Sequence, residues 1–307
     1  LEKIKLLIVM PVWNGGQLFV NCLFALSQQE PRQEHVCIVD SGSSDGSLDI
    51  AKSYSYEIIS IVQGEFDHGG TRQMVVEICQ DFDIFVYLTQ DAVLADQKAV
   101  SRLVAAFDDP HVGAVYGRQL PRPGAGAVEA HVRLFNYPDQ SHVRSFDDKS
   151  RYGIKAAFIS NSFSAYRRAA LMQVGGFPKK LILGEDMVVA ARMLQAGWLV
   201  AYQADAQVYH SHAYTIRQEF KRYFDIGVLH QDQHWILEEF GKPEGEGARF
   251  VRSEFAYLAR RAPWLLPSAV VRTAAKLIGY KIGQHSQRLP LSIKQKLSMH
   301  RGYWKDQ

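Results

Sequence analysis

Over the first ninety residues, apolar positions fall in short runs closed by polar clusters. Residues 5–10 form one such run, ended by Pro11, and 36–39 a second, ended by Asp40-Ser-Gly-Ser-Ser-Asp-Gly-Ser47. Residues 57–62 and 83–89 give two more. Each predicts a buried strand, because turn formers bound a short apolar stretch. The intervening segments have helical spacing, as in Leu18, Cys22 and Leu26 on one face, and a helix after Gly69-Gly70 turns Met74, Val75 and Ile78 inward. Strands alternating with helices predict an α/β fold with a mostly parallel sheet covered on both faces. Ligands of such sheets lie beyond the carboxyl ends of the strands, so the clusters at Trp13-Asn14, Asp40-Ser41 and Gln90-Asp91 should meet at one edge.

Further along, the pattern predicts a helix over 95–107, strands at 112–116, 156–160, 199–202 and 206–210, and helices over 167–174 and from Glu185. Residues 121–152 read as an irregular segment. From Ile216 the spacing of Phe220, Tyr223 and Gly227 is helical; 241–247 reads as a linker, and basic amphipathic helices broken at Pro263, Pro267 and Pro290 follow. This divides the chain into a unit at 1–215 and a helical, basic region at 216–307.

Composition adds limits. With 47% hydrophobic and 22% charged residues, the 307-residue chain has the make-up of a folded protein. Its three cysteines, Cys22, Cys37 and Cys79, lack metal-type spacing and are expected as buried thiols in a reducing compartment. No apolar run approaches the roughly 20 residues needed to span a bilayer, and no signal peptide is recognised. The net charge of +3 hides an asymmetry: residues 241–307 carry 13 Lys+Arg against 4 Asp+Glu, and the remainder 22 against 28. An anionic partner for the basic end, or a solvated helix face, would account for it.

Four segments stand in a telling order: Pro11-Val-Trp-Asn14, Ile38-Val-Asp-Ser-Gly-Ser-Ser-Asp-Gly-Ser47, Leu88-Thr-Gln-Asp91 and Gly184-Glu-Asp186. Over about residues 4–215 they resemble family-2 glycosyltransferases of the GT-A fold. Phe66-Asp-His-Gly-Gly-Thr-Arg72 and Thr89-Gln-Asp-Ala92 resemble the branch that uses dTDP-L-rhamnose to build bacterial surface polysaccharides. The resemblance implies a nucleotide-sugar half at about 1–92 and an acceptor half at about 93–215.

It also implies roles. Asp40 would meet the base edge, with Pro11, Val12, Asn14 and Ser41 shaping the nucleotide pocket and Gln90 beside it; the same Asp40-Ser-Gly also suits a plain turn, and Asp45 and Ser47 suit helix capping. His68 and Arg72 would hold the diphosphate, helped by free backbone N–H groups where Gly69-Gly70 opens a helix. Only Asp91 remains of the usual Asp-x-Asp, so a divalent cation, Mg²⁺ or Mn²⁺, would draw on His210 or His212 as well. Asp186 would be the base that takes the acceptor proton, with Glu185 beside it; the two are expected to point apart and not share a proton. Asn161 and Ser162 are candidates for acceptor contacts, and Trp198 for the core.

The expected reaction is sugar transfer with inversion onto a glycan or lipid-linked glycan at the cytoplasmic face of the membrane. Arg272 and Lys276, beside Val270, Val271, Ala274, Leu277 and Ile278, would form an amphipathic helix docking on anionic lipid. Intramolecular packing of these helices is the alternative. A UDP-hexose or UDP-N-acetylhexosamine donor stays open, as does a binding protein without turnover. Neither strand turn carries G-x-G-x-x-G, which argues against a dehydrogenase, and the basic end lacks the pattern of a nucleic-acid reader.

Overall fold

The structure is a computed structural model that describes residues 4–242 and 244–305. Nine strands run β1 Leu6–Val12, β2 Val36–Asp40, β3 Glu57–Ser60, β4 Ile84–Leu88, β5 Val93–Leu94, β6 Val112–Leu120, β7 His142–Arg144, β8 Phe163–Arg167 and β9 Leu199–Tyr209. The first helices are α1 Gly16–Ser27, α2 Ser47–Ser53, α3 His68–Ile78, α4 Ala99–Val104, α5 Ala127–Asn136, α6 Lys149–Tyr152, α7 Arg168–Gln173 and α8 Glu185–Gln195. Then follow α9 Ile216–Asp232, α10 His234–Phe240, α11 Glu244–Arg261, α12 Leu266–Gln284 and α13 Leu291–Leu297.

The sheet order is β3-β2-β1-β4-β8-β6-β9-β5, with β7 on β9. It is parallel over β3-β2-β1-β4, but β8 runs antiparallel to β4 and β6, and β5 and β7 run antiparallel to β9. The expected mostly parallel sheet is thus a mixed one. The cause is the segment between β6 and β8. It carries β7 along the first residues of β9 and then returns to the level of Tyr116, from which β8 runs back toward the start of β6 as a reversed strand. Apolar periodicity carries no information about strand direction.

Two other expectations shift. The apolar run at 156–160 is not a strand; Gly153–Ala157 is a 3-10 turn with Ala156, Ala157 and Ile159 buried, and the strand comes later, at Phe163–Arg167. A short buried helical turn and a buried strand look alike in sequence. The linker expected at 241–247 is mostly helix, because α11 begins at Glu244; Pro243 lies outside the described residues. Pro267 opens α12 instead of breaking it, since the first helical turn needs no N–H there.

Alternate residues of each strand feed opposite cores, as a period of two requires. Leu7, Val9, Phe85 and Tyr87 pack toward α3 and α8, whereas Ile8, Met10, Val86 and Leu88 pack toward α1 and α4. Phe224, Val228, Leu229, Phe240 and Trp304 belong to the first core, so the C-terminal region is built onto the α8 face. There α12 crosses α9 backbone to backbone: a Cβ on Gly279 would stand 2.4 Å from the Phe220 carbonyl oxygen, and one on Gly283 2.1 Å from that of Phe224. That contact turns the basic stripe of α12 inward. Arg272 and Lys276 reach Glu219 of α9 at 3.0 and 3.7 Å, leaving Val270, Val271, Leu277 and Ile278 exposed. The expected docking surface is therefore inverted, with charge inside and the apolar stripe outside. Cys22 and Cys37 are buried, Cys79 is half-buried, and all three are free.

Candidate active site

The loops after β1, β2 and β4 do meet at one edge, around an open cleft of about 600 Å³ lined by Pro11, Val12, Trp13, Ser41, Gln90 and Asp91, among others. Polar side chains lock the loops to one another. Gln90 clamps Trp13, whose N–H donates to Oε1 at 2.8 Å and whose carbonyl accepts from Nε2 at 3.2 Å. Asn14, at φ 45°, accepts from the Ser44 N–H at 2.8 Å, and its own N–H donates to Ser43 Oγ. The Asp45 carboxylate and the Ser47 hydroxyl accept from the Gly16 and Gly15 amides. Asp40 is 3% exposed and its carboxylate accepts from the Gly42 and Ser43 amides, so it closes its own turn. Asp40 and Asn14 thus shape the cleft wall from behind. Each oxygen of Asp40 keeps lone pairs for a further donor.

At the floor of the cleft, Asp91, His210 and His212 bring three ligand atoms within 4.8 Å of one another. Bonds of about 2.1 Å to a shared ion nearly span that spacing. The hydrogen-bond network says more. Arg133 Nη1, a donor only, reaches Gln119 Oε1 at 2.6 Å, which fixes that atom as an acceptor. His210 Nδ1 lies 2.9 Å from the same oxygen and must therefore donate to it. Burial holds His210 and His212 below the usual imidazole range, His212 at about 3, so both rings are neutral near pH 7. With Nδ1 protonated, the Nε2 of His210 points a lone pair at Asp91 Oδ1, 3.3 Å away. Two acceptors facing each other in a buried site call for a cation between them. Asp91, His210 and His212 fit a divalent metal. Arg122 Nη2 donates to Asp91 Oδ2 at 2.9 Å and orients the carboxylate.

Across the cleft stands a second polar chain. Arg72, 4% exposed, pairs with Glu185 Oε1 at 3.0 Å, donates to the His68 carbonyl at 2.7 Å and lies over the Tyr87 ring. Asn161 links Glu185 to Asp186: its Nδ2 donates to Glu185 Oε1 at 3.0 Å, and its backbone N–H to Asp186 Oδ2 at 3.1 Å. Burial would raise the Glu185 carboxyl, but the Arg72 guanidinium, helped by the Asn161 side-chain amide, holds it below the carboxylate range. Asp186 shows the opposite shift: burial and the adjacent negative Glu185 push it up to about 6. Glu185, paired with Arg72, thus raises the basicity of Asp186. Arg72→Met should cost about 3–5 kcal/mol of stability, because it strands a buried carboxylate. Denaturant unfolding would measure the loss, and adding Glu185→Gln should recover much of it.

Two expected contacts are corrected here. The first turn of α3 is not an open anion site: Asp67 caps it, with Oδ1 accepting the Gly70 N–H, and its carbonyl accepts the Thr71 N–H. A carboxylate already satisfies the helix end that a phosphate would seek. Gly69 is needed for packing instead, since a Cβ there would stand 1.8 Å from the Pro178 carbonyl oxygen. Asn161 offers nothing to an acceptor; it is 4% exposed, and its Oδ1 accepts from Ser164 Oγ and Tyr166 OH. It is a positioning residue. Ser162 stays half-buried, with its carbonyl bound by the Thr89 amide beside the metal ligands. His68 lines the cleft, and Trp198 packs against the core as expected.

Gln119, Arg122 and Arg133, which orient the metal ligands, escaped sequence reasoning. They sit in or next to a stretch without periodicity, and nothing local marks them. Asp67 was legible: an acidic residue just before a helix start is an N-cap signal.

Comparisons with known proteins give the family. A family profile described as "Glycosyl transferase family 2" matches residues 7–175. The chain is 46% identical over 301 residues to the O-antigen chain rhamnosyltransferase RfbN of Salmonella typhimurium strain LT2, covering 98% of this chain and 96% of that one. It is 45% identical over 298 residues to the O-antigen chain rhamnosyltransferase WbaN of Salmonella anatum, covering 97% and 95%. Among solved structures, the mannosyltransferase PcManGT of Pyrobaculum calidifontis, in complex with GDP-Man and Mn²⁺, aligns with a TM-score of 0.55 at 18% identity, over 98% of this chain and 85% of that one. That likeness concerns the fold. With a profile match over more than half its length and relatives this similar end to end, the chain belongs to glycosyl transferase family 2.

Proposed function

We propose that the protein transfers L-rhamnose from dTDP-L-rhamnose, with inversion, to a hydroxyl of an O-antigen saccharide. The observation that carries this reading is the identity with two O-antigen chain rhamnosyltransferases, which runs through the cleft and the C-terminal helices alike. In the proposed reaction the acceptor oxygen bonds to the anomeric carbon from the face opposite the diphosphate. The bond from that carbon to the diphosphate oxygen breaks, and the acceptor proton passes to Asp186. Glu185, held ionised by Arg72, keeps Asp186 basic enough near neutral pH. The donor diphosphate would lie toward Asp91, His210 and His212, with the nucleotide between Trp13 and Ser41. A divalent cation there would supply charge compensation for the departing diphosphate, and two imidazole ligands favour Mn²⁺ over Mg²⁺. Thermal-shift measurements with dTDP-rhamnose, UDP-glucose and UDP-GlcNAc, with and without Mn²⁺, test the donor. Stabilisation by the dTDP sugar is expected; a response to UDP sugars alone would overturn the rhamnose assignment.

We propose also that the enzyme works as a peripheral protein at the cytoplasmic membrane face. No helix among the described residues is long and apolar enough to cross a membrane. The outward stripe of α12, Val270, Val271, Leu277 and Ile278, is 53–58% exposed, and Trp264 at one end is 74% exposed. Exposed Arg260 and Arg261 flank that end, and Lys281 and Arg288 the other. An apolar strip between cationic ends suits an anionic lipid surface. The full chain should co-sediment with phosphatidylglycerol-containing vesicles, and Leu277→Glu with Ile278→Glu should release it. Unchanged binding by that variant, or loss of a dimer in its place, would count against a lipid partner.

A further inference from the structure

The chain after α13 folds back over α9 and is clamped there. Lys221 Nζ donates to the Ser298 carbonyl at 3.2 Å, the Met299 N–H to Asp225 Oδ2 at 2.9 Å, and the His300 N–H to Ser298 Oγ at 2.9 Å. Trp304, 2% exposed, anchors the segment in the main core beside Phe224. The clamp sets the His300 ring edge-on to His68, centroids 5.5 Å apart at 85°. His68 is the residue through which this cluster reaches the cleft.

Among the described residues neither imidazole has a hydrogen-bond partner for its ring nitrogens. Arg222, exposed on α9, stands between Lys221 and Asp225, the two residues that clamp the segment carrying His300, and among the described residues it makes no ion pair or hydrogen bond either. Arg72 is committed to Glu185 and Arg122 to Asp91, so their charges are cancelled before any ligand arrives, and Arg133 is turned onto the neutral Gln119 amide behind His210. A bound nucleoside diphosphate brings about two further negative charges, and a metal held by one carboxylate and two neutral rings meets only part of them.

We propose that Arg222, His300 and His68 form a second arm of the diphosphate site, opposite the metal, with the C-terminal segment supplying His300 in every folded molecule. This rests on the nucleotide-sugar reading above and assigns the binding charge that reading leaves open. Arg222 would place its fork of N–H groups on phosphate oxygens. The two imidazoles, kept neutral by burial and by Arg222, would each donate one N–H.

Calorimetric titration of the full chain with thymidine, dTMP and dTDP, in Mn²⁺, tests the arm. Arg222→Ala should weaken dTDP binding about ten- to a hundredfold, as for a lost hydrogen bond to a charged group, and leave thymidine binding unchanged. Arg222→Lys should restore part of the loss, and His300→Ala should show a smaller loss of the same pattern. The unfolding midpoint of the Arg222 variants should match that of the wild type, since the side chain has no partner to lose. Equal dTDP affinity in wild type and Arg222→Ala would overturn the arm, as would an equal loss for thymidine. A wild type that binds UDP and not dTDP would fault the donor assignment, and the same series run with uridine, UMP and UDP would then decide on the arm.

Discussion

Asp186→Asn is expected to lower kcat by about 10²- to 10⁴-fold, the range for removing a general base, with donor affinity left near its wild-type value. The substitution keeps the shape and, through its one remaining oxygen, one of the two contacts that the carboxylate makes with the Asn161 and Met187 amides at 3.1 and 2.8 Å, and it removes the capacity to take a proton. The pH profile gives a second readout. Asp186 titrates at about 6, so kcat/KM should fall as pH drops through that value and level off above it. The linkage to stability has the opposite sense. Because the folded-state value lies above the ordinary 3.8, this group stabilises the fold at low pH, and that contribution is lost as pH rises through about 6. At pH 7 the relief from removing that buried charge opposes the loss of one accepted amide contact, so the unfolding midpoint of Asp186→Asn should stay close to that of the wild type. Catalysis within threefold of wild type, measured with donor and acceptor extract, would remove Asp186 from the reaction.

Gln119→Leu is expected to weaken Mn²⁺ binding about 10- to 100-fold, although Gln119 touches no metal. The reason is the tautomer of His210. Gln119 Oε1, oriented by Arg133, accepts the Nδ1 proton and so leaves Nε2 free to ligate. Leucine removes that acceptor, strands the Arg133 guanidinium and lets the imidazole turn. Gln119→Glu, which still accepts, should retain most of the affinity. Electron paramagnetic resonance of free Mn²⁺, titrated with protein lacking substrate, reads the constant directly. If Gln119→Leu binds as the wild type does, the ligand role of His210 fails.

How much of this could be read from the sequence differs between the two halves of the site. The first four strands and their terminal clusters were legible, because each strand is a short apolar run closed by turn formers and each cluster must lie at its carboxyl end. That alone placed Asp40, Gln90 and Asp91 on one edge. The charge state of the site was not legible. Arg72 looked available for phosphate, yet it is spent on Glu185, a partner more than a hundred residues away in sequence. Asn161 looked like a substrate contact, yet its side-chain amide is consumed in holding one carboxylate and two hydroxyls, and its backbone N–H in holding a second carboxylate. Partners at such separations leave no periodic trace.

The amphipathic pattern of α12 illustrates the same limit. Its spacing separates Arg272 and Lys276 from Val270, Val271, Leu277 and Ile278 correctly, but spacing cannot say which side faces the protein. Glu219 and the close approach of Gly279 and Gly283 to α9 decide that, and they turn the charges inward.

The sequence by itself determined the α/β class, the edge where the cleft opens and the residue types gathered there, because those follow from local periodicity and turn chemistry. Tertiary structure alone decided the reversed β8, the raised basicity of Asp186, the tautomer of His210 and the placement of His300 beside His68. Each of these depends on a through-space partner brought close by packing, and burial is what makes such contacts strong enough to matter.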